Sequence, residues 1–306
     1  MNKLSKKNWY RDERDWWATF HHIMNKQWLL DSELNLYFRK PIDEEKINYL
    51  FLEGGYLLDV GCGSGHFSHS IHSLGMNVLG IDFSPDQIKK ARVDYSPKST
   101  RRIEFICKNF LEWDYLNYIE AFDSIHIEAF LHHLPDDDVN SFFEIVGLVL
   151  KPGGKVFMYE PIYYEDKKLS YLKKSILRLY SISQSILINK IPKLFNLIDK
   201  ELLIELSKGY KGISPHERAL SVQTIRNMAK KNKLHITSLS PKRYKSIGYF
   251  LNIMTIIPGA YNNLLRLLCP VVIYIDKLLF RFFPNSNLGS DKDFLLYAIQ
   301  IKKNPF

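Results

Sequence analysis

Between residues 56 and 161 the apolar positions switch period again and again. YLLDV (56–60) is a short apolar run that closes in aspartate, as a strand buried on both faces would read. Residues 65–74 turn to helical spacing, and NVLGID (77–82) is again a short apolar strand. SPDQIKKAR opens a helix, with Ser84 at the N-cap and Pro85 in the first turn. IEFICKN (103–109) and FDSIHIEA (122–129) predict the third and fourth strands. DDDVNSFFEIVGLVL (136–150) predicts a helix whose first turn is acidic, where the macrodipole favours negative charge. KPGG (151–154) reads as a turn, and KVFMYEP (155–161) as the fifth strand. Strands alternating with helices imply right-handed crossovers and an open parallel sheet.

Outside that stretch the rhythm is lost. Residues 1–50 read as an aromatic, helical N-terminal extension or lid, interrupted at Pro41, with a helix restarting over 43–52. After Pro161, residues 166–220 read as a helical, basic insertion ending in the polar loop SPHERALS (214–221). A core helix and strand return over 221–241, an apolar helical insertion covers 242–292, and FLLYAIQIKK provides a last strand within 293–306. The core itself is expected over 51–165. The expected architecture is α/β: a Rossmann-like, doubly wound, seven-stranded, mostly parallel sheet with an antiparallel last strand, plus the N-terminal extension and helical insertions.

Composition narrows the field modestly. A hydrophobic fraction of 46% and a charged fraction of 25% suit a chain with a real core, so disorder is excluded as the default. The formal charge of +9 favours anionic partners, yet there is no basic tail, zinc-finger spacing or RNA-binding signature, so no nucleic acid is expected. Cys62, Cys107 and Cys269 form no CxxC pair, and the N-terminus lacks an apolar signal core. A cytoplasmic location follows as an expectation. The stretch 247–283 changes the picture, because Leu265, Leu268, Val272, Ile275, Leu279 and Phe282 share one helix face. Pro258 and Pro270 interrupt any continuous span, so an interfacial helix pair, peripheral on the inner face of the membrane, competes with a cap buried on the core or a dimer interface.

The strongest chemical signal is LLDVGCGSG: Asp59, then Gly61, Cys62, Gly63, Ser64 and Gly65 at the first strand-to-helix turn. Glycines there let the backbone approach a ligand beyond the carboxyl ends of the strands. The string is GxGxG rather than the dinucleotide GxGxxG, with His66 following. Taken in order with GIDFSPDQI, FDSIHIEAFLHHLPD and LKPGGKVFMYEP, it resembles the class I S-adenosylmethionine-dependent methyltransferases over about 57–161.

The resemblance implies S-adenosyl-L-methionine as cofactor and no metal. It implies Asp59 at the amino-acid end of the cofactor, with Gly61, Cys62, Gly63 and Gly65 along the sugar and methionine. Asp82 would take both ribose hydroxyls and Phe83 would flank adenine. Asn109, followed by Phe110, stands where an acidic residue commonly meets the adenine amino group. Glu128 and Ala129 fall near the methionine end. The acceptor is expected to be a small or lipid-linked molecule methylated on oxygen or carbon. Candidates for proton removal are His132 and His133 after the fourth strand, Glu160 at the end of the fifth, and His216 in the polar loop. Tyr163 and Tyr164 either line the acceptor pocket or simply pack. His66, His69 and His72 read as a solvated face, and His21 and His22 as packing or capping groups. Two rivals remain: a cofactor-binding scaffold without catalysis, and an NAD-dependent oxidoreductase, against which the GxGxG spacing and the LKPGG turn both argue.

Overall fold

Apolar strands that are buried on both faces must lie in a sheet covered on both sides, and this is what the chain builds. A computed structural model describes residues 5–15, 42–95, 102–163, 216, 218–243, 274, 278 and 295–305. Its strands are β1 (Tyr56–Val60), β2 (Asn77–Asp82), β3 (Ile103–Cys107), β4 (Phe122–Glu128), β5 (Leu150–Tyr163), β6 (Leu220–Ser221), β7 (Leu234–Arg243) and β8 (Leu295–Lys303). Helices α1 (5–15) and α2 (42–50) precede the sheet. Among the strands lie α3 (His66–Ser73), α4 (Pro85–Asp94), α5 (Asp136–Val149) and α6 (Val222–Lys231).

The strand order is β3-β2-β1-β4-β5-β8-β7, with β6 attached to β5. All pairs from β3 to β5 are parallel, and β8 alone runs against its neighbours β5 and β7. The expected mostly parallel sheet with an antiparallel last strand is therefore present. Order reverses between β1 and β4, and such a switch point opens a crevice at the carboxyl ends of the strands.

Alternation along each strand sends side chains to two cores. Leu58, Val60, Leu79, Ile81, Ile125, Ile127 and Met158 pack beneath α5 and α6. Leu57, Val78, Phe105 and Phe157 pack beneath α2, α3 and α4. Leu57, Leu58, Val60 and Ile127 are completely buried, each burial being worth about 1.5–3 kcal/mol.

Three local expectations are corrected. The 151–154 turn belongs to β5, which joins β4 through a register irregularity between Phe122 and Ser124. The end of the 214–221 loop forms β6, because Leu220 pairs with Ile162 and Ser221 with Tyr163. Ser84 occupies the N-cap of α4, yet its side chain makes no cap bond; its N–H is held instead by the Asp82 carboxylate. The expected insertions over 166–220 and 242–292 lie almost wholly outside the described residues, as do His21, His22, Tyr164, Cys269 and most of 247–283. No helix among the described residues is long and apolar enough to cross a membrane.

Candidate active site

The turn between β1 and α3 bends through left-handed glycines. Gly63 has φ +53, and a Cβ added there would meet only the Gln87 side-chain oxygen at 3.8 Å. Among the described residues its outer face is open. Gly65 is different, since a Cβ would strike the Phe105 ring at 2.8 Å and Ala91 at 3.2 Å, and Gly61 would strike Phe130 at 2.9 Å. One glycine therefore presents backbone outward, while the other two let the turn seat on its neighbours. Cys62 lies against the sheet, and burial pushes its thiol well above the usual range.

Asp82 closes β2 beside this turn. Its Oδ2 accepts from Gly63 N at 2.9 Å and its Oδ1 from Ser84 N at 2.8 Å. Desolvation raises its pKa to about 6, even though those N–H groups pull the other way. Phe83 is partly buried, and its carbonyl accepts from Cys107 Sγ at 3.9 Å. Asn109 Oδ1 accepts from Leu111 N at 3.1 Å, which fixes the turn after β3. Phe110 is buried and packs on Phe142 with ring centroids 5.1 Å apart, so it forms the floor of this region rather than its surface.

Under the carboxyl ends of β1 and β4 lies a buried charged cluster. Asp59 is buried, with Oδ2 accepting from Ser68 Oγ at 2.5 Å and Oδ1 lying 2.7 Å from His126 Nδ1. His126 packs tilted against Phe67, with ring centroids 3.9 Å apart. Burial alone would lower its pKa, but Asp59 and Glu128 outweigh that and the net shift is upward. Glu128 Oε2 accepts from Lys46 Nζ of α2 at 2.6 Å. Ala129 follows with φ +50, a conformation that costs an alanine about 1 kcal/mol or more.

The catalytic candidates fall into two groups. Glu160 is wholly buried; its Oε1 accepts from Phe130 N at 2.7 Å and Leu131 N at 3.0 Å, and its Oε2 from His132 Nδ1 at 2.8 Å. That carboxylate and imidazole hold the turn after β4 in place. His133 and His216, far apart in sequence, meet at one carboxylate of α1. Glu13 Oε2 is 3.0 Å from His133 Nδ1, and Glu13 Oε1 accepts from His216 N at 3.1 Å. Trp9 stacks on the His216 ring at 3.9 Å and donates from Nε1 to His133 O at 2.7 Å. Further along α1, Tyr10 and Lys6 both reach Asp138 of α5 at 2.5 Å.

Residues 57–154 match the family described as "Methyltransferase domain". That stretch of the core is similar to S-adenosylmethionine-dependent methyltransferases. A ubiquinone biosynthesis O-methyltransferase of Xanthomonas euvesicatoria is 31% identical over 153 residues, 49% of this chain and 61% of that protein. The chain thus spans about three fifths of the length of such curated relatives. The cyclopropane synthase MmaA2 of Mycobacterium tuberculosis superposes with a TM-score of 0.52 at 15% identity, covering 86% of this chain and 83% of that one. The [4+2]-cyclase SpnF does so with 0.52 at 14%, covering 86% and 80%. These structural likenesses establish the fold.

The donor set suits S-adenosylmethionine. An open backbone turn, a carboxylate at the next strand end and a second carboxylate across β1 match a ribose diol and an ammonium group. None of these contacts needs a metal, and among the described residues no three His, Cys, Asp or Glu side chains are placed to hold one. His66 and His69 are exposed and contact Tyr95, through a 2.9 Å Nδ1–OH approach and a 4.3 Å ring stack respectively. Reading the sequence missed Glu13, Lys46, Ser68 and His126. His126 alone left a signal there, as an imidazole inside an otherwise apolar strand that must find a buried partner.

Proposed function

We propose that the chain transfers a methyl group from S-adenosylmethionine to an oxygen or carbon of a small-molecule or lipid-linked acceptor. The single observation that carries this is Asp82 beside the open Gly63 turn, at the switch point of the sheet. The O-methyltransferase names of the relatives support an oxygen acceptor. When bound, the cofactor supplies a methyl carbon activated by its sulfonium. Asp82 accepts from the ribose hydroxyls, Gly63 gives the backbone room to approach, and Phe83 and Asn109 border the adenine. Glu128 faces the amino-acid end. His133, whose Nδ1 lies 3.0 Å from Glu13 Oε2, takes the acceptor's proton. Glu160 and His132 position that turn without touching the acceptor.

Calorimetry of the full chain with S-adenosylhomocysteine and with NAD tests the reading, followed by turnover with methyl-labelled cofactor on phenols and catechols bearing short and long alkyl chains. Binding of S-adenosylhomocysteine alone, with label moving to an acceptor, is expected. Binding without turnover on any acceptor favours a scaffold, and absence of binding ends the proposal.

The acceptor's place at a membrane surface belongs to the same proposal. Its support is the apolar face of 247–283, flanked by Lys242, Arg243, Lys245, Arg266, Lys277 and Arg281. Flotation with anionic liposomes is expected to carry the chain upward and to fail once 247–283 are deleted. Equal recovery of both proteins would rule the surface out.

A further inference from the structure

Helix α1 docks on the core through polar groups. Lys6, Trp9, Tyr10 and Glu13 follow one another at helical spacing and form its inner face, while Lys7, Asn8 and Arg11 between them are exposed. On that face the Glu13 side chain is 2% exposed, and a carboxylate so buried is stable only where it is paired. Its two oxygens serve chain segments that are far apart. Oε2 lies 3.0 Å from His133 Nδ1, in the turn after β4, and Oε1 accepts from His216 N at 3.1 Å, across 203 residues. Trp9 repeats the pattern, donating to His133 O at 2.7 Å and stacking on the His216 ring at 3.9 Å. The neighbouring charges have other partners. Lys6 and Tyr10 meet Asp138, with Asp137 3.9 Å from Lys6; Arg218 pairs with Asp136 and His132 with Glu160. Asp12 faces His216 Nε2 at 3.6 Å. Glu13 is the carboxylate set against the His133 ring.

This placement has a chemical consequence. When His133 takes the acceptor's proton, the acceptor oxygen bonds the methyl carbon and the electrons of the broken carbon–sulfur bond stay on sulfur. The ring is left as an imidazolium whose side chain is only 12% exposed. A cation there is costly alone and tolerable beside a carboxylate. We propose that Glu13 is a positioning residue for methyl transfer: its carboxylate orients His133 and neutralises the imidazolium formed there, while its second oxygen ties the segment at His216 to the same place, so that the acceptor chemistry requires α1.

This role rests on His133 being the base of the proposed reaction, and the test separates the two. Turnover of the full chain is followed with methyl-labelled cofactor and the phenol or catechol that the wild type methylates best. Glu13→Gln keeps an acceptor for His216 N and removes the charge. Its kcat is expected to fall about 10- to 100-fold, part of what a general base supplies, with S-adenosylhomocysteine affinity within about threefold of wild type. The acidic limb of kcat/KM, which reports protonation of the base, is expected to move to lower pH by about one pH unit, because the imidazolium loses its neighbouring anion. Glu13→Asp retains the charge and should keep the wild-type limb, with kcat above that of Glu13→Gln. His133→Gln is expected to lose about 100-fold or more, and adding Glu13→Gln to it should cost less than about threefold further, since the two act as a unit. Unchanged turnover in Glu13→Gln, slowed turnover with an unmoved limb, or a loss that multiplies in full with that of His133→Gln would overturn the positioning role and leave the base in place. A His133→Gln protein as active as wild type overturns the base and the role of Glu13 with it, as does a wild-type chain without turnover. Should Glu13→Gln not fold, Glu13→Asp takes its place in the double variant and is judged by the same criterion.

Discussion

Asp82→Ala abolishes most of the affinity for S-adenosylhomocysteine, by about 100-fold or more, on the scale of two charge-assisted hydrogen bonds lost together. The fold should survive. Burial raises the carboxyl to about pH 6, so the folded chain itself disfavours the charge that the ligand needs. The sign follows from linkage. A carboxyl whose folded pKa exceeds its unfolded value favours the folded state at low pH, and that advantage fades as pH rises towards 6. Above that pH the ionised Asp82 is tolerated for function, and Asp82→Asn should change unfolding stability by about 1 kcal/mol, since it removes the desolvated charge but loses one of the two backbone contacts, its NH2 being unable to accept from an N–H. Wild-type binding carries the complementary signature. Affinity for 5′-methylthioadenosine, which avoids the titrating His126 end of the site, should be flat above neutrality and fall as pH drops through about 6. A flat profile down to pH 5, or full affinity in Asp82→Ala, would remove Asp82 from the site.

Asp82 was legible in the sequence as a candidate because of its position: an acidic residue ends the short apolar strand that follows the glycine turn and its helix. Strand runs such as YLLDV and NVLGID were legible for the same reason, since a strand buried on both faces leaves no other pattern. The glycines were only half legible. The turn itself was evident, but Gly65 is required by Phe105 of β3 and Gly61 by Phe130 after β4, and those contacts depend on tertiary packing. The charged partners were less accessible still. Lys46 meets Glu128 across 82 residues and Asp59 meets His126 across 67, so no local spacing announces either pair. Glu13 is a similar case, one of several charged residues in an N-terminal helix, marked out only when the fold sets it between His133 and His216. Where a site is assembled from strand ends, composition and order reveal the ends; the side chains that neutralise them come from elements whose approach only the fold determines.

Glu160→Ala is expected to cost about 3–5 kcal/mol of unfolding free energy, the range for removing one partner from a fully buried charged network. Three donors converge on that carboxylate: the N–H groups of Phe130 and Leu131, and His132 Nδ1. At a site of 0% exposure, all three would lose their acceptor. The damage should spread to ligand binding, because Phe130 packs over Gly61, and a loosened turn after β4 loosens the glycine turn beside it. Glu160→Gln is the discriminating companion. Its amide oxygen can still serve the two backbone donors, while its NH2 faces His132, which must shift its hydrogen to Nε2 and accept at Nδ1. The loss should therefore shrink to about 1 kcal/mol, the worth of an ordinary hydrogen bond. Urea unfolding of the three proteins measures this, and turnover measured beside it separates positioning from chemistry. If Glu160 holds the turn, Glu160→Gln retains most of its methyl transfer; if Glu160 itself removes a proton, the glutamine protein is inactive while still folded. An alanine variant within about 1 kcal/mol of wild type would show that the turn does not depend on this carboxylate.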